Sequence, residues 1–422
     1  MQQPNVKAWI VVLTASLFFF YEFIQMNMLD AISQALIADF HINADELGAM
    51  SSYYFFANVL FLFVAGTLLD RFSTRYIIIV ALGICVIGTA AFGMATDIFW
   101  VTVCRFLTGI GSAFCFLSVL RLISRWFPPR KMALATGIVV TIAMFGGMIA
   151  QTPFTVLVKW VGWRETLYYD AMFGFIIWFL VLAIVRDYPQ RDRVAHVQEQ
   201  KVLSQIGYKE SARKAFLRKQ HWLGGIYTSM MNLPINVLGG LWGIMYLVIY
   251  YKMSKMNASY VVSMLFVGTI VGSPIVGWVS DRIARRKPPM IFGAILSIGL
   301  SVCIIWIPDL SFSMLMVLFF ALGFFSSTQI IGYPLVSESS ERIVTAMSVS
   351  VVNISVMSGI GIIQRLYGYL MQIHAEGRAN HVGTYYIASD FHWAMMIFFV
   401  GYVLALSAAL LVKETYCVQR ES

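Results

Sequence analysis

The sequence predicts an all-α membrane protein with twelve transmembrane helices arranged as two six-helix, pseudo-symmetric halves. Three observations predict this fold class. The composition is too apolar for a water-soluble fold, the apolar residues fall into runs of membrane-spanning length, and one charged motif occurs twice, half a chain apart. The runs are continuous rather than alternating, which excludes a transmembrane β-barrel.

The composition indicates that lipid is the main solvent of this chain. Hydrophobic residues make up 59% and charged residues 12%, whereas a soluble domain carries about 25% charged residues. The net charge of +9 comes from basic residues in short loops, without a basic patch interleaved with aromatics, so no nucleic-acid partner is expected. The five cysteines have no CxxC spacing, so neither a disulfide framework nor a metal site is expected.

Twelve apolar stretches are long enough to cross about 30 Å of hydrocarbon, which takes roughly 20 residues. The first lacks a signal-peptide cleavage site and is expected to remain as a span. The predicted spans are Trp9–Leu36, Leu47–Leu69, Tyr76–Ala95, Ile98–Phe127, Ala133–Trp160, Thr166–Val185, Trp222–Tyr250, Ser259–Val279, Met290–Ile307, Phe312–Val336, Ile343–Ile373 and Phe391–Val412.

Lysine and arginine predict the orientation, because cytoplasmic loops carry an excess of both. If both termini are cytoplasmic, the cytoplasmic side carries severalfold more lysine and arginine than the opposite side. The predicted domains are an N-terminal half at 1–185, a cytoplasmic linker at 186–221 and a C-terminal half at 222–422. The basic linker is either an amphipathic helix on anionic headgroups or a solvated spacer.

An internal repeat supports the division into halves. A charged segment following the second span recurs 211 residues later, after the eighth span. Repeats of this kind mark a duplicated structural unit. The matching positions are Gly66, Asp70, Arg71 and Arg75 in the first copy and Gly277, Asp281, Arg282 and Arg286 in the second.

Both copies resemble motif A of the major facilitator superfamily, which has the form G-x-L-x-D-R-x-G-R-R/K. The first copy departs from it with Ser73 at a position where the family favours glycine, and Arg105 to Gly111 resembles motif B. The resemblance implies a transporter of two six-helix halves. It also implies that the charges of motif A form a gating network at the cytoplasmic seam, and its glycines are expected to allow close helix approach.

Two further comparisons within this family concern the solute. Drug/proton antiporters carry a glycine pattern in the fifth span that Gly137 and Gly146 match, but Ala150-Gln151 replaces its Gly-Pro pair. That departure disfavours a drug exporter. Other segments, among them Trp126 to Pro129, loosely resemble the proteobacterial intraphagosomal amino-acid (Pht-type) transporters and related siderophore carriers.

Two charged residues in the predicted spans are candidates for the transport site. A charge at mid-membrane costs at least about 2.5–3.5 kcal/mol, so it is a functional hypothesis by default. At ~1.5 Å per residue, Glu22 and Arg105 fall at the same level, in spans that line the central cavity of the resembled fold. Glu22 is a candidate proton site, and Arg105 a candidate ligand for a substrate carboxylate. The alternative is a permanent ion pair that fixes helix packing.

Five polar residues are further candidates for the same solute or proton site, and helix–helix hydrogen bonding is the alternative for the two asparagines among them. Pro234 is expected to loosen the seventh span between two of them, as in many midplane binding sites. The aromatic run Tyr53–Phe56 is interpreted mainly as lipid-facing or packing surface. The five candidates are Gln25, Asn232, Asn236, Gln329 and Tyr333.

The absence of GxxxxGK[ST], HExxH and GxSxG motifs predicts a secondary transporter rather than an ATP-driven pump or an enzyme, with no cofactor. The preferred hypothesis is proton-coupled uptake of a small polar metabolite such as an amino acid. A siderophore or organic-anion carrier, a drug/proton antiporter and a transport-fold receptor or scaffold are the alternatives. The expected partners are the solute, protons and the lipid bilayer, for a monomer in a bacterial inner membrane.

Overall fold

The computed structural model describes residues 6–127, 129–187, 216–307, 309–340, 345–376 and 386–418. Within these ranges the secondary structure is helical, with no strand. The fold class predicted from the sequence, an all-α membrane protein with the twelve-helix architecture, is confirmed. Most of the predicted linker, at 188–215, lies outside the described residues.

We number the helices α1 to α12 and give a letter to each segment of an interrupted helix. The first six are α1a Val6–Asn27, α1b Leu29–Phe40, α2 Ala44–Arg71, α3 Thr74–Met94, α4a Ile98–Ser112, α4b Cys115–Trp126, α5a Pro129–Ile149, α5b Thr152–Val161 and α6 Trp163–Ile184. The others are α7a Lys219–Met231, α7b Pro234–Trp242, α7c Gly243–Tyr250, α8 Lys255–Arg282, α9 Lys287–Trp306, α10a Phe312–Ser326, α10b Ser327–Ile331, α10c Gly332–Glu338, α11 Thr345–Glu376 and α12 Ala388–Leu411.

Nearly all of these helices are long and apolar enough to cross a bilayer. Ten candidate spans meet both conditions among the described residues, and the bent helix α7 makes an eleventh. Helix α2 is 28 residues long, about 42 Å at ~1.5 Å per residue, and is therefore long enough to be the twelfth.

Several helices are interrupted within the membrane, and the local sequence explains two of the breaks. Proline lacks the N–H that an inner helical turn requires. Pro234 begins the π-helical segment α7b, and α7a is bent by 44° from the rest of the helix. Pro153 lies in the first turn of α5b, directly after the break in helix α5. The expected distortion of the seventh span at Pro234 is thus present.

The packing within each half repeats the internal duplication. Helix α1 packs on α5 and α3 on α6, and the same pairs recur six helices later as α7 on α11 and α9 on α12. The chain forms two compact units, which we call unit 1 (Met1–Ile32 with Tyr53–Gln205) and unit 2 (Ser33–Ser52 with Ile206–Ser422). Residues 33–52 therefore pack with unit 2, although the sequence places them in the predicted N-terminal half at 1–185.

The segment 33–52 packs closely on α11. The Ser52 hydroxyl donates to the carbonyl of Gly361 at 2.6 Å, and the Ser51 hydroxyl donates to the side-chain oxygen of Gln364. A Cβ on Gly368 would lie 2.2 Å from the carbonyl oxygen of Ala44. Glycine is thus required at position 368 for the two backbones to approach this closely.

The same capping contact stabilises the ends of both repeats. Asp187, after α6, accepts a hydrogen bond from the backbone N–H of Arg75 at 2.9 Å. Glu414, after α12, accepts from the backbone N–H groups of Arg286 at 2.8 Å and Lys287 at 2.9 Å. Burial alone would raise the pKa of Glu414, but these backbone hydrogen bonds outweigh it and lower the pKa below its ordinary value.

Replacing Glu414 with glutamine is expected to lower the melting temperature of the purified protein at neutral pH. A carboxylate with a lowered pKa stabilises the fold above its unfolded pKa of about 4.3, and the effect is lost as the pH falls through the folded value. The difference between wild type and E414Q should therefore shrink on acidification, as measured by scanning fluorimetry in detergent. D309N, at an exposed loop position, is the control; a pH-independent difference would contradict this account.

Candidate functional site: a buried polar cluster in unit 1

Glu22 and Arg105, the two charged candidates, lie in one buried cluster inside unit 1. Their side chains are 3% and 0% exposed. No direct ion pair joins them among the described residues; instead, Tyr54 of α2 contacts both. The Tyr54 hydroxyl donates to Glu22 Oε1 at 2.6 Å, and the guanidinium carbon of Arg105 lies 4.5 Å from the centroid of the Tyr54 ring. Tyr54 thus contacts both the anion and the cation.

Arg105 uses only part of its hydrogen-bonding capacity. Its Nη1 donates to the backbone carbonyl of Gln25 at 2.8 Å. Its Nε and Nη2 atoms have no hydrogen-bond partner within the described residues. A guanidinium presents five N–H donors in a planar fork that matches a carboxylate or phosphate. The cluster therefore contains a buried cation with donors available for an anionic ligand.

Gln25, one turn after Glu22, connects this cluster to a second buried carboxylate. Its Nε2 donates to Asp170 Oδ2 on α6, and its Oε1 accepts from the Thr89 hydroxyl at 2.7 Å. Asp170 is 5% exposed. Neither Asp170 nor Tyr54 is among the residues predicted from the sequence. Of the two, only Asp170, as a charge in an apolar run, has a sequence signal that could have identified it.

The local sequence brings Arg105 next to Tyr54. Gly109 follows Arg105 by one turn on α4a, and a Cβ there would lie 2.2 Å from the Tyr54 carbonyl oxygen. Only glycine allows α4a and α2 to approach this closely. Asn58, one turn after Tyr54, donates to the Ser112 hydroxyl at 2.6 Å and joins the same two helices.

The candidates on α7 and α10 lie in unit 2, in separate local contacts. Asn236 donates from its side chain to the backbone carbonyl of Asn232 at 2.9 Å, within the distorted part of α7. The backbone carbonyl of Gln329 accepts from Thr228 at 3.2 Å. Tyr333 donates to the side chain of Asn353 at 2.9 Å. The Asn236 amide and the Tyr333 hydroxyl thus have partners within unit 2, and a role of all four residues in solute binding stays a prediction.

The second copy of the predicted gating motif forms an ionic cluster at one end of unit 2. Arg286 Nη1 lies 2.6 Å from Asp281 Oδ1, and its Nη2 lies 2.7 Å from Glu338 Oε1. Arg282 stacks over Trp278 at 5.0 Å. A Cβ on Gly277 would meet no described atom within 4 Å, so the close helix approach expected at this glycine is absent.

The first copy is described only in part. The backbone of Gly66, Asp70 and Arg71 continues α2 to its end, but the side chains of Asp70 and Arg71 lie outside the described residues. The side chain of Arg75 donates from Nη2 to the carbonyl of Leu182 at 2.6 Å. The gating role of both copies stays a prediction.

A comparison with known families decides the class of protein. The family model described as Major Facilitator Superfamily matches residues 13–362, with a second match at 225–416. The chain belongs to the Major Facilitator Superfamily. As a member of this superfamily it is a multi-pass membrane transporter of small solutes and not an enzyme.

Several relatives are between 22% and 25% identical to this chain over the aligned segments. A probable hexose phosphate transport protein of Chlamydia trachomatis is 24% identical over 64% of this chain and 63% of its own length. The match thus spans less than two thirds of that relative. The probable sulfoacetate transporter SauU of Cupriavidus necator is 25% identical over 70% of this chain and 71% of its own. The probable galactarate/D-glucarate transporter GudP of Escherichia coli is 22% identical over 82% of this chain and 83% of its own length.

A solved structure shows the same fold. It is a bacterial homolog of the human lysosomal transporter Spinster, in an inward-facing and unoccupied conformation. The TM-score is 0.76 at 17% sequence identity, over 98% of both chains. At this identity the likeness establishes the superfamily fold alone.

Proposed function

We propose that this superfamily member is a secondary transporter of a small organic anion, coupled to protons and working by alternating access. The observation that carries the proposal is Arg105, a fully buried guanidinium with two nitrogens that have no hydrogen-bond partner among the described residues. A buried cation is strongly unfavourable unless it is paired and hydrogen-bonded. A carboxylate, phosphate or sulfonate group on the solute would complete that pairing in the bound state.

The names of the relatives support an organic anion as the solute, rather than the amino acid that the sequence favours. Their names refer to hexose phosphate, sulfoacetate and galactarate or glucarate, all of which carry a negative charge at neutral pH. An organic anion was an alternative from the sequence, and Arg105 is suited to all three charged groups. A siderophore rich in carboxylates belongs to the same chemical class.

Glu22 is the proposed proton site. It shares Tyr54 with Arg105 and is almost completely buried. In its ionised form Glu22 partly neutralises the charge of Arg105. In its protonated form Glu22 is neutral, and the charge of Arg105 is available to bind an anionic solute. Proton binding and anion binding are therefore expected to favour one another, which is the requirement for symport.

An amino acid is the second candidate, because two buried carboxylates accompany the single cation. Glu22 and Asp170 could receive an ammonium group while Arg105 receives the carboxylate. The proposed organisation is the one predicted from the sequence: two halves joined by a cytoplasmic linker, cytoplasmic termini, motif A as a gate, and a monomer in a bacterial inner membrane.

The proposal is tested by uptake into proteoliposomes with and without an inward proton gradient. The panel should contain a sugar phosphate, a sulfonate, a sugar diacid and several neutral amino acids. Gradient-dependent uptake of one of the anions, but not of the amino acids, would support the proposal. Uptake of amino acids alone would favour the second candidate, and uptake that does not depend on the gradient would exclude proton coupling.

Replacing Tyr54 with phenylalanine should separate its two contacts. Y54F keeps the ring that faces Arg105 and loses the hydroxyl that donates to Glu22, so the KM for the anion should stay within about threefold while the pH profile of uptake changes. Y54L loses both contacts and should also raise the KM, since a desolvated cation–π contact contributes about 2 kcal/mol. Y53F, at an exposed position next to Tyr54, is the control. An unchanged pH profile in Y54F would contradict the role given to the hydroxyl.

A further inference from the structure

Asp170 is a buried carboxylate without a cationic partner among the described residues. It lies on α6, and the one hydrogen bond that its side chain makes there comes from Gln25 Nε2. An ionised carboxylate in such surroundings lacks most of the donors that it would have in water. Charges inside membrane helices are rare and mark proton or substrate pathways by default.

The surrounding hydrogen bonds can satisfy both protonation states of Asp170. When Asp170 is ionised, Gln25 Nε2 donates to it and the Thr89 hydroxyl donates to Gln25 Oε1, as observed. When Asp170 carries a proton on Oδ2, the side-chain amide of Gln25 is flipped, so that its Oε1 faces Asp170. The protonated Oδ2 then donates a hydrogen bond to Gln25 Oε1. Gln25 Nε2 then donates to the Thr89 oxygen. The orientation of an amide follows from its hydrogen-bond partners, so both arrangements use the same atoms.

Thr89 has the contacts that this exchange requires. Its oxygen lies 2.7 Å from Gln25 Oε1 and 2.9 Å from the backbone carbonyl of Cys85. A hydroxyl has one hydrogen and can donate to only one of these acceptors at a time. The hydrogen points to Gln25 in the ionised arrangement and to the Cys85 carbonyl in the protonated one, so Thr89, the Gln25 amide and Asp170 Oδ2 keep hydrogen bonds in both states.

The other titratable groups around Asp170 come from three helices packed on α6. From α1a, Tyr21 is a buried phenol, and Glu22 lies one turn from Gln25. From α3, Cys85 is a buried thiol. From α5b, Lys159 is exposed, and α6 itself carries the half-buried Arg164 and the exposed Glu165 near its start. Among the described residues, Asp170 forms no ion pair with any of these cations.

Gln25 also connects Asp170 to the anion site. Its backbone carbonyl accepts the hydrogen bond from Arg105 Nη1 at 2.8 Å. Gln25 thus contacts Asp170 through its side chain and Arg105 through its backbone carbonyl. We propose that Asp170 is a second proton-binding site of this transporter, and that Gln25 couples its protonation to the position of Arg105. This inference rests on the proposed function, because it assigns a second coupled proton to the same transport cycle.

Infrared difference spectroscopy of the purified protein tests the site without any transport. A titration of wild type, D170N, E22Q and E165Q should show a carboxylic-acid C=O band whose Asp170 component disappears in D170N and remains in E165Q. Glu165 is the matched control, since it is an exposed carboxylate on the same helix. A pH-dependent band that is the same in D170N and wild type would overturn the inference.

Transport by the same variants separates this inference from the proposed function. With the membrane potential clamped, each coupled proton multiplies the limiting accumulation ratio tenfold per pH unit of gradient, equivalent to about 1.4 kcal/mol. D170N should lower that ratio about tenfold at a one-unit gradient and retain solute counterflow. An unchanged ratio would overturn the inference. Wild-type uptake that does not depend on the proton gradient would contradict the proton coupling of the proposed function. If the Asp170 infrared component is nevertheless lost in D170N, the assignment of Asp170 as a proton-binding site is retained.

Discussion

Replacing Arg105 with glutamine is expected to weaken binding of the transported anion by about 100-fold or more. A hydrogen bond to a charged group contributes about 1.5–3 kcal/mol, and Arg105 can offer two to one anion. Two such bonds correspond to at least two decades of affinity, at about 1.4 kcal/mol per decade. The measurement is the KM of uptake, together with thermal stabilisation of purified R105Q by the solute.

Two further variants make this result specific. R105K keeps the charge but not the planar fork, so its affinity should fall between those of wild type and R105Q. R164Q removes another arginine that stacks on an aromatic ring, Trp163 at 4.1 Å, and should leave the KM unchanged. If R105Q bound the anion as tightly as wild type, Arg105 would have only a packing role.

Cross-linking residues 52 and 361 is expected to abolish transport. The Ser52 oxygen lies 2.6 Å from the Gly361 carbonyl oxygen, so cysteines at these positions come within reach of a short thiol cross-linker. Segment 33–52 belongs to the predicted N-terminal half and α11 to the predicted C-terminal half, so alternating access between these halves is expected to separate the two segments in at least one state. A covalent link between them prevents that separation, and uptake by S52C/G361C should fall to background after cross-linking.

The cross-linking test has internal controls. Cys303 and Cys417, the half-buried native cysteines, are replaced by serine in all variants. Each single-cysteine variant should keep its uptake after the reagent is added, and a reducible cross-linker should allow recovery of the double variant. Full uptake by a double variant shown to be completely cross-linked would mean that this contact persists throughout the transport cycle.

The sequence predicted the fold because lipid imposes simple constraints on it. Every span needs about 20 apolar residues, and proline predicts a helix distortion by its chemistry, as at Pro234. The interruption at Met28 has no comparable signal. The packing of residues 33–52 in unit 2 depends on partners more than 300 residues away in the sequence, such as Gly361, and no local pattern predicts it.

The candidate site was predicted where a charge interrupts an apolar run. Glu22 and Arg105 were found on that basis, and Gln25 by its helical spacing from Glu22. Asp170 was missed because the predicted span began at Thr166, whereas α6 begins at Trp163. The earlier start places Asp170 roughly 10 Å along the helix, about as deep as Arg105. Tyr54 was missed because it is one of four consecutive aromatics, and only the fold shows which of them faces the cluster.

The central claim is that Glu22, next to Arg105, carries the proton that drives the anion. It is tested most directly by comparing wild type and E22Q in two assays on the same proteoliposomes: accumulation against a gradient, and solute counterflow at equal pH. The account predicts that E22Q retains counterflow and loses gradient-driven accumulation. Accumulation by E22Q to the wild-type level would contradict it.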